Sequence, residues 1–174
     1  MKLAPAPVLE TERLKLRPYK VEDFEAYAAL YQSERSQYMD GPIERDTAWT
    51  RFSGGAGRWL LLGYGPWAIE RKADGNCVGL VSLNPPMGAA EKELGWALWE
   101  GFTGHGYAFE AAMRARAFAT TELAWTNFVS YIAAPNTPSI KLAERLGATR
   151  DPVATAAQTD DTLVYRHHEP THPK

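Results

Sequence analysis

Between an apolar run that closes on Trp99 and an alanine-rich segment, the sequence reads Glu100-Gly101-Phe102-Thr103-Gly104-His105-Gly106-Tyr107-Ala108. Glycines in a strand-to-helix connection let the backbone turn its N–H groups toward one point, and the start of a following helix adds positive dipole. Together these hold a phosphate or a diphosphate. The same residue types also make a plain tight turn, and glycines alone do not separate the two readings. A P-loop requires Gly-Lys followed by Ser or Thr, which occurs nowhere in the chain; the dinucleotide fingerprint requires a third glycine where Phe109 stands after Gly104 and Gly106. Neither pattern fits.

Other reactive side chains carry weaker signals. His105 sits between loop glycines with its side chain expected outward, and no second His or acidic residue stands at a recognisable metal-ligand spacing, so no metal is expected. His167 and His168 adjoin in a predicted strand and so face opposite sides. Cys77 reads as a small core residue; as the lone cysteine it forbids an internal disulfide and excludes a Cys-rich zinc module, a pattern suited to a reducing compartment. No run approaches the roughly 20 apolar residues of a spanning helix, and the first residues lack the apolar core of a signal peptide, so a cytoplasmic protein without membrane contact is expected. The formal net charge of -2 supplies no general field for a polyanion, which argues against nucleic-acid binding while leaving a local anion site open.

With 174 residues, 45% of them hydrophobic and 23% charged, the chain has an ordinary globular balance, and no repeat or linker divides it; one domain over 1–174 is expected, with its core at about 10–168 and Pro-rich frayed ends at 4–7 and 170–173. A domain of this size buries roughly 70% of the surface its unfolded chain exposes and needs no staple. Leu14 and Leu16 alternate with Arg13, Lys15 and Arg17, the period of a half-buried strand stopped by Pro18. Residues 21–32 place Val21, Phe24, Ala28 and Tyr31 at helical spacing, and 44–53 predict a second short helix ended by Gly54, Gly55 and Gly57; the apolar run 59–64 is ambiguous. Runs at 67–71 and 77–83 flank Ala73-Asp74-Gly75-Asn76, an antiparallel hairpin signal. A third run, 93–99, follows Asn84-Pro85-Pro86-Met87-Gly88 and leads into the glycine loop. In the helix after the loop Phe109, Ala112, Met113 and Ala117 share one face, and Arg114 lies i+4 from Glu110, where it can pair with it. A strand at 127–133, a helix at 138–146 and a last strand at 162–167 complete a mixed α/β series.

Three segments in this order and spacing resemble the GNAT superfamily of acyl-CoA-dependent N-acetyltransferases, most closely its ribosomal-protein N-terminal acetyltransferase branch. They are Glu93-Leu94-Gly95-Trp96-Ala97-Leu98, Gly104-His105-Gly106-Tyr107-Ala108-Phe109-Glu110-Ala111, and Asn136-Thr137-Pro138-Ser139 with Glu144-Arg145-Leu146-Gly147-Ala148. The resemblance implies an α/β (α+β) fold: a mixed, mostly antiparallel central sheet, helices on both faces, and two splayed strands between which CoA binds. It implies acetyl-CoA as cosubstrate, without a metal, and a protein N-terminus or small amine as acceptor, in a monomer or homodimer. The family's diphosphate loop falls on Thr103, Gly104, His105, Gly106, Tyr107 and Ala108, with Phe109 following; Thr103 replaces the usual long polar residue, which removes a side-chain contact but leaves the backbone N–H groups.

The resemblance assigns the remaining roles. Main-chain groups of Trp96, Ala97 and Leu98 meet the pantetheine arm and the thioester, whose developing oxyanion needs an N–H donor. Glu93 is the candidate base that takes the proton of the acceptor ammonium, against the alternative of an outward strand carboxylate. Ser139 is the candidate acid for the CoA thiolate, against the alternative of a first-turn serine serving the helix end, and Asn136 bonds the pantetheine, caps the helix, or does both. Ala143 stands where many members of the superfamily carry a tyrosine acid. The Trp- and Gly-rich stretch 49–67 falls where the family builds its acceptor pocket. A module that retains CoA with little or no transfer is the second reading; an unrelated nucleotide-binding enzyme is a third, disfavoured by the failed motifs.

Overall fold

A computed structural model of the chain describes residues 5–85 and 91–168; the Pro86-Met87-Gly88 part of the expected connection, residue 4 and the expected frayed end at 170–173 lie outside the described residues. Eight strands form a sheet in the order β1-β2-β3-β4-β5-β6-β8-β7. They are β1 (Leu9–Glu10), β2 (Leu14–Arg17), β3 (Pro66–Arg71), β4 (Cys77–Asn84), β5 (Glu93–Leu98), β6 (Phe128–Ala133), β7 (Thr149–Arg150) and β8 (Thr162–His167). Every neighbouring pair is antiparallel except β5 and β6. The helices are α1 (Phe24–Tyr31), α2 (Arg45–Leu62), α3 (Tyr107–Thr121), α4 (Thr137–Arg145) and α5 (Pro152–Ala156).

The expected hairpin is β3 and β4, turned at Gly75 with φ +72. The strands are amphipathic on two apolar faces. Leu94 of β5, with Val81 and Leu83 of β4, packs under the alanine face of α3, while Ala97 and Trp99 pack with Leu80 against Phe24, Tyr27 and Phe52 of α1 and α2. Helices therefore cover both faces, and α4 packs beside α3 on β6. Buried Arg17 fastens β2 to the start of α1, donating to both carboxylate oxygens of Asp23 at 2.7 and 2.8 Å and to Glu70 of β3 at 2.5 Å.

Two helices differ from their sequence expectation. α2 runs through Gly54, Gly55 and Gly57 to Leu62 and stops at Gly63, whose φ is +76. Packing explains Gly55: a Cβ there would stand 3.0 Å from Pro66 Cγ and 3.7 Å from Tyr19 Cε2, so the glycine lets α2 lie against the start of β3. In α3 the buried face is Tyr107, Ala111, Ala112, Ala115, Phe118 and Ala119, whereas Met113 is 42% exposed. Small alanines bring the helix axis close to β4 and β5, and that approach outweighs burial of the larger Phe109 and Met113. Glu110 pairs with Arg13 rather than with Arg114.

Candidate active site

β5 and β6 are joined by a single register pair, Glu93 with Val129, and diverge beyond it. Ser130 of β6 substitutes for the next rung: its hydroxyl donates to the Leu94 carbonyl at 2.6 Å and lies 2.9 Å from His167 Nε2. A hydroxyl has one proton to give, so His167 must donate from Nε2 and is the neutral tautomer with Nδ1 bare; Nδ1 has no partner among the described residues. Burial first, then the neighbouring Arg116 and His168, pushes the His167 imidazole down to about 3. An unfolded chain titrates near the usual value of about 6.5, so between the two values it binds more protons than the folded one. His167 thus contributes stability that is present above about pH 6.5 and is lost as the pH falls toward 3, at up to about 1.4 kcal/mol per unit. Replacing it by Gln, which keeps a donor for Ser130, is expected to flatten the decline of the melting temperature between pH 6.5 and 4.5; parallel curves for both proteins would refute the assignment.

Beyond the apex the β5 edge lies open. Trp99 N–H donates to Val78 O of β4 at 2.9 Å, so Ala97, of the same parity, turns its main chain back toward β4. Leu94, Trp96 and Leu98 turn theirs into the splay, and Arg35 Nη2 takes up the Leu98 carbonyl there at 3.1 Å. The Trp96 side chain packs against both the α3 cluster and the cluster of Ile132, Ala143 and Tyr165, so it spans the gap between the diverging strands.

The glycine loop closes the wide end. Gly101, Gly104 and Gly106 have φ of +83, +81 and +80, a region that side chains rarely adopt. Gly106 precedes α3, and the first intrahelical bond, Glu110 N–H to Gly106 O, leaves the N–H groups of Tyr107, Ala108 and Phe109 without a helical acceptor at the positive end of a 15-residue helix. The Tyr107 ring is buried, and its hydroxyl accepts from Arg71 at 3.3 Å, so its main chain alone faces the loop. Thr103 and His105 are exposed. The His105 carbonyl accepts from Arg13 Nη1 at 3.0 Å, and Arg13 Nε donates to Glu110 at 2.7 Å. Burial works against the Glu110 charge, yet Thr11 and Arg13 hold its carboxyl below the ordinary range. Arg13, Gly106, Phe109, Met113 and Arg145 line a groove beside the loop, with the Arg145 guanidinium 4.6 Å over the Phe109 ring. The two arginines escape a local reading because only the fold brings residue 13 and residue 145 to the loop at 104–106.

On the α1 and α2 face of the sheet, Glu93 is half-buried beside Asn84, whose amide nitrogen donates to Glu93 Oε2 at 2.9 Å. Burial pushes the Glu93 carboxyl above the ordinary carboxylate range, against the pull of the Asn84 amide, the Tyr131 main-chain N–H and Arg58. A carboxyl so placed can accept a proton nearer neutral pH than a solvated one. On the α3 and α4 side, Asn136 caps α4 by accepting from Ser139 N–H at 3.4 Å. Asn136 performs the cap, which leaves the Ser139 hydroxyl without a hydrogen bond among the described residues. Ala143 is fully buried, so no side-chain acid acts from that position. Glu93 and the helix that carries Ser139 thus lie on opposite faces of the sheet, at β5 and β6 respectively. Of the tryptophans in 49–67, Trp59 and Trp67 are buried core and Trp49 is 44% exposed. Among the described residues no cluster of three or more His, Cys, Asp or Glu could hold a metal ion, and no helix is long and apolar enough to cross a membrane.

Comparison with known proteins shows the family and the fold. The acetyltransferase (GNAT) domain family matches residues 13–149. An acetyltransferase from Agrobacterium tumefaciens str. C58 is 40% identical, with a TM-score of 0.87 over 94% of this chain and 95% of that one. A GNAT-family acetyltransferase from Bacillus anthracis (19% identity, TM-score 0.78, 93% of this chain and 98% of that one) shares the fold. So does RimL, a ribosomal-protein alpha-N-acetyltransferase solved with coenzyme A (19% identity, TM-score 0.75, 95% of this chain and 98% of that one).

Proposed function

The chain belongs to the GNAT acetyltransferase family and is an N-acetyltransferase, and we propose that it moves the acetyl group of acetyl-CoA directly to a primary amine, of a protein N-terminus or of a small molecule, within a ternary complex. The observation that carries this reading is the single-rung junction of β5 and β6. It leaves Trp96 and Leu98 with main-chain groups turned to an open edge, where an extended amide-bearing arm pairs like a strand. The N–H groups at the start of α3 would hold the diphosphate at the other end of that arm.

The residues then divide the chemistry. Glu93 accepts the proton of the acceptor ammonium, whose nitrogen attacks the thioester carbonyl carbon as the carbon–sulfur bond breaks. A main-chain N–H turned into the splay supports the oxygen as it gains charge. The Ser139 hydroxyl, free of the helix cap, supplies a proton to the departing sulfur and regains one from the attacking nitrogen, which sheds its second proton as the amide forms. RimL acts on a ribosomal protein, which supports a peptide N-terminus as one acceptor class to test. A cytoplasmic location and a monomeric or homodimeric state belong to the same proposal.

Thiol release from acetyl-CoA is the direct test, run against a panel of N-terminal peptides and small amines. Release that depends on the amine, with acetylated product found by mass spectrometry, is expected. Tight acetyl-CoA binding without turnover on any amine would favour the module reading, and preference for ATP or NAD over CoA would refute the proposal.

A further inference from the structure

Glu93 and Asn84 are cross-strand partners on β5 and β4. Asn84 Nδ2 donates to Glu93 Oε2 at 2.9 Å, and Asn84 Oδ1 accepts from Arg58 Nη1 of α2 at 3.0 Å. A guanidinium has donors only, so Arg58 compels the oxygen of the Asn84 amide to face it and the nitrogen to face Glu93. Gly95, two residues along the same face of β5, leaves room for the Ser82 hydroxyl, 3.1 Å from where a Cβ would stand, and that Cβ would only reach ordinary contact with Asn84 Nδ2 at 3.5 Å.

Resting on the reading of Glu93 as the base, we infer that Arg58 is a positioning residue that acts through the Asn84 amide to hold the Glu93 carboxylate as a hydrogen-bond acceptor facing the acceptor amine. The other groups around Glu93 are the Tyr131 main-chain N–H from β6, Asp40 from the segment between α1 and α2, and the Tyr31 phenol from α1, with Arg51 of α2 beside that phenol. Asp40 opposes the charge of Glu93, and Arg58 favours it. Without Arg58 the amide is free to turn its oxygen to Glu93. That orientation accepts a hydrogen bond from the protonated carboxyl and offers none to the carboxylate, so the proton is held to higher pH.

The test compares Arg58→Met and Arg58→Lys, in the wild-type and Asn84→Ala backgrounds. Glu93 is titrated directly by carbon-13 NMR of labelled glutamate side chains, and the pH dependence of kcat/KM is measured in parallel. Arg58→Met is expected to raise the Glu93 midpoint by about one unit and to carry the acid limb of kcat/KM with it, about a tenfold loss of rate on that limb. Arg58→Lys, still a pure donor, should restore most of the midpoint, and in the Asn84→Ala background the Arg58→Met substitution should add only the smaller upward shift of the lost positive charge. An unmoved Glu93 midpoint in Arg58→Met, or an equal shift from Arg58→Met when Asn84 is already Ala, overturns the relay. If melting shows that Arg58→Met does not fold, Asn84→Ala carries the same expected upward shift, and an unmoved midpoint there overturns the relay equally. A moved Glu93 midpoint with an unmoved acid limb instead overturns the reading of Glu93 as the base.

Discussion

Glu93→Gln is expected to lower kcat by about 10²- to 10⁴-fold near neutral pH, the usual worth of a positioned general base. The substitution keeps the shape of the side chain and an oxygen for the Asn84 amide, so the fold and the affinity for acetyl-CoA should stay close to wild type. The sign of the pH dependence follows from the environment of the carboxyl. Because burial holds Glu93 above the ordinary carboxylate range, the wild-type kcat/KM should fall with acid at a pH higher than a solvated glutamate would give. The mutant should lack this limb. Its deficit should shrink at high pH, where the acceptor amine has already lost its proton to solvent. Stopped-time assays across pH, with acetyl-CoA titrated calorimetrically into both proteins, decide the matter. A Glu93→Gln enzyme with the wild-type rate at every pH would leave Glu93 as a structural carboxylate tied to Asn84.

The second large effect is expected at the loop, where Gly106→Asp should weaken acetyl-CoA binding by about 10- to 100-fold. Gly106 has φ +80 and a Cβ there would come 3.4 Å from Arg13 Nη2, so any side chain enters the space between that guanidinium and the start of α3. A carboxylate in that place competes for the free N–H groups of the first turn and repels the diphosphate, an interaction worth a few kcal/mol at close range in a partly solvated site. Gly106→Ala separates charge from strain, because it carries the cost of a left-handed residue, roughly 1–2 kcal/mol, without the anion. Calorimetric affinities for the three proteins, with melting curves to confirm folding, should rank glycine above alanine and alanine well above aspartate. Equal affinity for wild type and a folded Gly106→Asp protein would remove the diphosphate from this loop.

Local chemistry was legible in the sequence wherever one short segment decides the outcome. Asp74-Gly75 demands a tight hairpin, and the Asn136-Thr137-Pro138 start of α4 is written in its cap. The loop at 101–106 was legible in the same way, since its glycines do occupy left-handed positions. The apolar run 93–99 also identified β5, though not which way its faces turn. The short pieces β1, β7 and α5 carry too few residues for any period to show. What surrounds Glu93 was not legible, because its contacts follow from strand register and helix placement: Asn84 meets it across a hairpin, and Arg58 reaches Asn84 from a helix expected to have ended before it. The glycines of α2 were read by their propensity, and tertiary packing of Gly55 against Pro66 overrode it. In α3, helical spacing grouped Met113 and Ala117 with Ala112 on one face, and close approach to the sheet buries Ala111, Ala112, Ala115 and Ala119 instead.

The glycines of α2 also bear on how the enzyme meets its acceptor. Unlike at Gly55, a Cβ at Gly54 or Gly57 would meet no neighbouring element within 4 Å, so no close approach requires glycine at either position. Relative to alanine, each makes the helix less favourable by about 1 kcal/mol. The weakness lies in the middle of the helix, immediately before Arg58, while Trp49, Leu60, Leu61 and Leu62 remain exposed on its surface. α2 is therefore a yielding wall beside Glu93, facing the firm floor of β4 and β5. It can open locally at a smaller energetic penalty than an alanine-rich helix would incur. On the proposed role of Glu93, acceptors that differ in bulk would meet a boundary that adjusts to them, and breadth of acceptor choice would depend on local helix stability as much as on pocket shape.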